Sequence, residues 1–207
     1  LALPELPKID VAIVGEPTTL QPATAEKGLM VLDCKAKGKS GHAARNAGIN
    51  AIYEALPSIE WFRTHRFERV SQFLGSVKMT VTQIESGTQH NVVPDECKFV
   101  VDVRVNEMYG NQELLQEIRN SVPCEVKERS TRLGSSSIQM THPLVQRGLS
   151  LGLKAFGSPT MSDQALMPYT SVKIGPGDSA RSHTADEYIE LLEIEHGVQT
   201  YIKLLDG

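Results

Sequence analysis

Two segments far apart in the chain carry residues of metal-ligand type. Gly175-Pro-Gly-Asp-Ser-Ala-Arg-Ser-His183-Thr-Ala-Asp-Glu187 is a glycine-rich turn that presents one histidine. Val11-Ala-Ile-Val-Gly15-Glu16-Pro17-Thr18 is an apolar strand pattern ending in a lone carboxylate, at the C-terminal tip where open α/β sheets place their ligands. A zinc site uses imidazole and carboxylate ligands and keeps one position open for water, and ligands distant in sequence meet once strand ends converge. Glu16 and His183 therefore read as two ligands of one metal site. Taken singly, each has a plainer reading, a solvated strand-end glutamate and a surface histidine before a helix. Asp178 and Ser179, on the loop before His183, could orient that histidine, touch a substrate or simply form an Asx turn.

The elements that must position these residues are legible from periodicity. Ile9 to Val14 is an apolar run, as expected of a strand buried on both faces of a parallel sheet. Leu29 to Lys37 reads as a strand, followed by a Gly/Ser turn around His42. Ile49, Ile52, Leu56, Ile59 and Phe62 recur at helical spacing, so they are expected to form the buried face of a helix. Pro57 lies inside that helix, and a kink or break is expected there. Val77, Met79 and Val81 alternate with polar residues, as do Cys97, Phe99, Val101 and Val103, which gives two strands joined by a turn from Gly87 to Asp95.

Leu114, Leu115, Ile118 and Val122 mark a second helix, and Cys124 to Glu128 a short strand. The order from Leu29 to Glu128 is strand, helix, strand, strand, helix, strand, the βαββαβ of a ferredoxin-like unit. Beyond Leu133 the α/β pattern returns, with a helix expected from about Pro143 to Leu153 behind start signals at Thr141 and Pro143. Thr184 with Glu187 reads as a capping box, and Ile194, Val198, Tyr201, Ile202 and Leu205 give the last helix an apolar stripe.

The chain has 207 residues, enough for one or two domains with a sizeable core. An apolar fraction of 40% and a charged fraction of 22% match an ordinary soluble protein rather than a disordered one. A net charge of -4 without a Lys/Arg cluster argues against nucleic acid as a partner. No apolar run approaches the roughly 20 residues that span a bilayer, so no membrane partner is expected. Cys34, Cys97 and Cys124 are odd in number, lack metal spacing and lie in strand patterns. They read as reduced cysteines of a cytoplasmic protein.

Six ordered segments carry a family resemblance across essentially the whole chain. They are Gly15-Glu16-Pro17-Thr18, Gly38-Lys-Ser-Gly41-His42-Ala-Ala, Gly87-Thr-Gln-His90-Asn91-Val-Val-Pro94, Val101-Asp-Val-Arg104, Ser162-Asp163 and Gly175 to Glu187. The sequence resembles the zinc-dependent exopeptidase and deacylase family that includes acetylornithine deacetylase, succinyl-diaminopimelate desuccinylase, carboxypeptidase G and aminoacylase, and looks most like the acetylornithine deacetylase branch.

The resemblance implies an α/β fold with two parts. Residues 1–28 and 133–207 would belong to a zinc-peptidase-like catalytic domain, and 29–132 to an inserted ferredoxin-like lid that carries a homodimer interface. Family members have a His-x-Asp motif, a bridging aspartate and a Glu-Glu pair upstream of the strand that ends in Gly-Glu-Pro. This chain starts at Leu1 with ten residues before that strand, so it is expected to be the C-terminal part of a longer enzyme and to lack the catalytic base on its own.

The resemblance also implies roles. Glu16 and His183 would hold one or two zinc ions, with cobalt as an alternative. His42 would act from the second subunit on the oxyanion of an amide-hydrolysis intermediate. Asn91 would donate to the substrate beside it, with His90 as a neighbour that could equally cap the turn. Arg104 and Lys27 are candidates for a substrate carboxylate, because a guanidinium or an ammonium matches that group; the plainer readings are a solvated edge residue for Arg104 and an ordinary surface lysine for Lys27. Thr160, Ser162, Asp163 and Ser179 are further substrate-loop candidates. The implied reaction is hydrolysis of an N-acylated amino acid, ornithine-like, as in arginine biosynthesis. A dipeptidase or carboxypeptidase, a succinyl-diaminopimelate or lysine-pathway deacylase, and a non-enzymatic dimerisation module remain alternatives.

Overall fold

In the computed structural model, which describes residues 8–45 and 47–206, the chain begins with β1 (Ala12–Val14), β2 (Ala23–Glu26), β3 (Gly28–Lys37), β4 (Gly41–His42) and α1 (Ala51–Thr64). It continues through β5 (Lys78–Ser86), β6 (Val92–Val93), β7 (Glu96–Val105), α2 (Asn111–Ser121) and β8 (Glu125–Glu128). β9 (Ser136–Ser137), α3 (Pro143–Ser150), β10 (Phe156–Ser158), β11 (Ser171–Lys173) and α4 (Leu191–Leu205) follow. One compact unit comprises Gly28–Ser71 and Gly75–Gly134; the other takes the described residues of Leu1–Lys27, Gln72–Leu74 and Ser135–Gly207. The first seven residues of the expected 1–28 segment and the last of 133–207 lie outside the described residues.

The first unit is a four-stranded antiparallel sheet in the order β5-β7-β3-β8. β3 and β5 run parallel with β7 between them, and β7 and β8 run parallel with β3 between them. α1 and α2 are the two crossovers, so this is the expected ferredoxin-like double split βαβ. Alternation builds its core: Met30, Leu32, Cys34 and Ala36 sit opposite Val103, Val101, Phe99 and Cys97, every one of them buried. Leu114, Leu115 and Ile118 of α2 close over that row, and the intervening Lys35 and Lys98 stay on the outer side.

α1 differs from expectation in two ways. Its buried row is Ala51, Ala55, Ser58 and Phe62, whereas Ile49, Ile52 and Leu56 are exposed together with Tyr53. Both rows have helical spacing, so periodicity finds the helix without telling which face packs; of the expected row Phe62 is buried and Ile59 packs partly against the core, while Ala51 and Ala55 take the other buried positions. The helix also runs unbroken through Pro57. Proline there removes one hydrogen bond from the ladder, at a typical cost of about 3 kcal/mol. Both Pro57 and Tyr53, whose carbonyl loses the donor, are exposed, and water can take up the freed carbonyl. Asn50 caps the helix, its side-chain oxygen accepting from the Ile52 amide at 3.0 Å.

The second unit holds a mixed sheet in the order β1-β11-β2-β10, with β9 added beside β2. β1 is parallel to β11, β10 is parallel to β2, and β11 meets β2 antiparallel. β1 is an edge strand among the described residues and only half-buried, which corrects the expectation of burial on both faces. Ile138, Val145, Val172, Ile174 and Leu204 form the core.

α3 ends at Ser150, earlier than expected, and its cap is His142, whose Nδ1 accepts from the Leu144 amide at 3.2 Å. The capping box at Thr184 and Glu187 does not form, because Glu187 accepts the His183 amide instead. α4 starts later, with Glu190 and Glu193 as its reciprocal box. Its buried residues are Gly197 and Leu204, so the stripe of Ile194, Val198, Ile202 and Leu205 is exposed.

Candidate functional site

β1 and β11 lie side by side with Val14 opposite Lys173, and both chains turn at the same edge of the sheet. Gly175, just beyond β11, presses against the Glu16 backbone; a β-carbon there would lie 2.6 Å from the Glu16 carbonyl oxygen, so only glycine fits. Three main-chain bonds stitch the two loops together: Thr18 N to Gly175 O at 3.2 Å, Leu20 N to Gly175 O at 2.9 Å, and Thr19 N to Gly177 O at 2.7 Å. Buried Thr18 adds its hydroxyl, which accepts the Gly175 amide at 3.1 Å. Nothing in the residue pattern points to this threonine's part beyond its place after Gly-Glu-Pro.

Backbone strain marks the same place. The non-glycine residues with positive φ among the described residues are Thr19 at 52°, Leu20 at 60° and His183 at 62°. Each such residue costs on the order of 1–3 kcal/mol and persists only where its surroundings fix it. Two follow Glu16 closely and the third is the candidate histidine itself.

His183 is exposed, and its amide donates to the Glu187 carboxylate at 3.0 Å. Asp178 forms the Asx turn anticipated as one of its readings, accepting the Ala180 amide at 2.9 Å. Arg181 steadies the loop through Glu193 at 2.6 Å and lies 4.6 Å over the Tyr188 ring. The adjacent Glu190 amide, then that guanidinium, hold the Glu193 carboxyl below its usual range. Thr18, Thr19, Asp178 and Ser179 line one cleft with Gln21, Lys154 and Phe156.

Among the described residues no three His, Cys, Asp or Glu side chains gather into a set that could hold a metal ion. Glu16 and His183 have the donor chemistry zinc accepts, a carboxylate oxygen and an imidazole nitrogen, and together would make two of the three or four protein ligands such a site uses.

Ser162 caps a single 3-10 turn, Asp163–Leu166. Its amide and hydroxyl both bond buried Glu26, at 3.1 and 2.7 Å. Lys27 is half-buried, its amide on Ser158 O at 3.1 Å. Glu26 and Lys173, buried partners at 3.1 Å, were not singled out from the sequence; charged residues in a strand pattern carry no signal of burial.

In the other unit, β4 and β6 form a two-residue sheet that sequence periodicity missed because it is too short to show a period. It places His42 opposite Val92, and the Ala43 amide donates to Asn91 O at 3.0 Å, so His42 and Asn91 are held as one piece. Gly41 is required there: a β-carbon would lie 2.2 Å from Ala47 O. His42 Nδ1 accepts the Ala44 amide at 3.2 Å, so the neutral ring carries its proton on Nε2, an available donor. His90 and Asn91 are exposed on the adjoining turn. Arg104 stands on β7, with Nε and Nη2 on Asp102 at 2.7 and 3.0 Å.

The sequence signature of the peptidase dimerisation domain, M20_dimer, matches residues 24–128. The chain is 28% identical over 202 residues to the acetylornithine deacetylase of Pectobacterium carotovorum, covering 87% of this chain and 52% of that protein. It is 26% identical over 199 residues to a Pyrobaculum aerophilum protein named as a LysW-lysine/LysW-ornithine hydrolase, covering 91% and 56%. The chain thus spans about half the length of the curated relatives it matches.

Its fold matches aminopeptidase PepT of Bacillus cereus with a TM-score of 0.71 at 14% identity, over 95% of this chain and 56% of that one. It also matches the Bacillus subtilis YXEP protein, described as a dinuclear metal binding peptidase from the M20 family, with a TM-score of 0.65 at 16% identity, over 94% and 55%. With its signature over just over half of the residues and its ferredoxin-like unit in the matched region, the chain belongs to the M20 peptidase dimerisation-domain family.

Proposed function

We propose that this chain forms part of a metal-dependent amidohydrolase that cleaves the N-acyl amide bond of an acylated amino acid, N-acetylornithine or a close analogue, in the cytoplasm. The observation that carries the proposal is the pair of strand-end loops, locked by Thr18 and Gly175, that carry Glu16 and His183. The name of the 28% identical relative supports the substrate class. In this reading residues 1–28 and 133–207 are catalytic, and 29–132 form the dimerising lid.

Glu16 and His183 would hold one or two zinc ions, or cobalt in their place, together with ligands supplied outside this chain. When bound, the metal supplies Lewis acidity and lowers the pKa of a bound water toward neutrality. His42 donates Nε2–H to the oxygen that gains negative charge, acting on the partner subunit's substrate. Asn91, fixed to the same strand pair, adds an amide donor, with His90 beside it. Arg104 keeps Nη1 for a substrate carboxylate while Asp102 orients the rest of its fork, and Lys27 offers an ammonium. Ser162 and Ser179 complete the substrate-binding set.

The exposed Ile52, Tyr53 and Leu56 on α1, with exposed Ile49 just before the helix, support a homodimer, because i, i+1, i+4 spacing puts the three on one side of the helix as an apolar patch that a second copy can cover. The test is a substrate panel on the full-length protein with N-acetylornithine, N-succinyl-diaminopimelate and dipeptides. Chelator-sensitive release of ornithine supports the reading. Turnover confined to peptides would replace it with a peptidase, and no turnover of any member would favour a dimerisation module.

A further inference from the structure

A buried ionic network lies in the same unit as Glu16 and His183. Glu26, at the end of β2, and Lys173, the last residue of β11, are 1% and 3% exposed and 3.1 Å apart. Among the described residues, their other side-chain bonds go to one short segment. Lys173 Nζ donates to Thr160 O at 3.0 Å and reaches Thr160 Oγ1 at 3.4 Å. Glu26 accepts the Ser162 amide on one oxygen and the Ser162 hydroxyl on the other. Ser158 Oγ closes the segment on itself, 3.0 Å from Thr160 Oγ1.

A buried pair of this kind is weak evidence for stability, since a well-packed apolar pair of similar volume often serves as well. What an apolar pair cannot do is fix the backbone of residues 160–162 by charge-assisted bonds whose directions are set. Lys173 is also the register partner of Val14, and the Ile174 amide that follows it bonds Val14 O at 3.0 Å, immediately before the Gly175 contact with Glu16. The same lysine therefore ties the 160–162 segment to the strand edge that carries the candidate ligands.

We propose that Glu26 and Lys173 are positioning residues that hold the Thr160–Ser162 segment in the conformation that meets the substrate, an inference that rests on the function proposed above for its substrate half. Glu26→Gln, Lys173→Met and the double variant of the full-length protein test it by thermal melting, by hydrogen exchange across residues 159–166, and by KM and kcat for N-acetylornithine. Each single variant leaves a buried partner unmatched and should melt lower than the wild type.

The double variant should regain most of the melting temperature, because no unpaired charge remains. Its 159–166 amides should nonetheless exchange about tenfold faster or more, and its KM should rise about tenfold with kcat changed less than about threefold. Wild-type exchange and KM in the double variant would overturn the proposal by showing that the pair only packs. If the wild-type protein does not turn over N-acyl amino acids, the substrate reading fails by itself, and the exchange arm still decides whether the pair holds the segment.

Discussion

The Thr18 hydroxyl and Gly175 are bonded in both directions: Oγ1 accepts the Gly175 amide at 3.1 Å and donates to its carbonyl at 3.4 Å, across 157 residues of chain. This small exchange joins the loop that follows β1 to the loop that follows β11. Thr18→Val keeps the shape and removes both bonds, leaving a buried amide without its partner. It should cost about 1–3 kcal/mol in urea unfolding. In the full-length protein it should also lower the bound metal found after dialysis, whereas unchanged stability and metal content would show that the main-chain bonds alone suffice.

The exposed α1 row predicts a quaternary effect without a folding effect. Ile52→Asp with Leu56→Arg should shift the protein to a monomer in sedimentation while changing monomer stability by only about 0.5 kcal/mol per site, as usual for surface positions. A dimer that persists would place the interface elsewhere on the unit.

Glu96 makes the acid limb of stability testable. Hydrogen bonds from Lys35 and then Lys98 draw its carboxyl down from 4.5 to about 2. A depressed carboxyl pKa contributes stability that is present above 4.5 and is lost as pH falls from 4.5 toward 2. Glu96 is solvent-facing, so the contribution is small and screened by salt. Melting temperatures of wild type and Glu96→Gln should therefore differ at pH 6 and converge at about pH 2. A difference that persists at low pH would contradict the linkage.

Cys124 should be the reactive thiol. The pairing with Cys34 lowers its pKa, while the same pairing and burial push Cys34 up, and Cys124 is half-buried where Cys34 and Cys97 are buried. Alkylation at neutral pH, followed by peptide mass mapping, should label Cys124 first, and Cys34→Ala, which removes the donor, should slow that labelling. Equal labelling of all three cysteines would contradict the assignment.

The sheet of the ferredoxin-like unit was legible because its strands are long enough for alternation to repeat: Met30 to Ala36 and Cys97 to Val103 name their own buried faces. Helix packing was less so. In α1 and α4 small residues, Ala51, Ala55, Ser58 and Gly197, are buried beside Phe62 and Leu204, while most of the large apolar side chains occupy the outer face, so hydrophobicity alone does not tell which face packs. The motif residues were visible in sequence, but the devices that hold them were not. A two-residue sheet under His42, a threonine bridging 157 residues and an ion pair inside strand patterns leave no periodic trace.

Two variants separate chemistry from metal binding in the full-length protein. His42→Ala should lower kcat by about 10²–10³ with metal content unchanged, the usual loss on removing one oxyanion donor. Glu16→Ala should lose metal as well as activity. Metal loss in His42→Ala would show that this histidine is a ligand.

The central claim is that each site combines Glu16 and His183 of one subunit with His42 of the other. Mixing His42→Ala and Glu16→Ala proteins, with subunit exchange verified by two different affinity tags, tests it directly. Each mixed dimer then contains one site with both an intact Glu16 and a partner's intact His42. The account predicts that activity returns toward about half of wild type per mixed dimer, from parents that are nearly inactive. Verified exchange with no return of activity would contradict it.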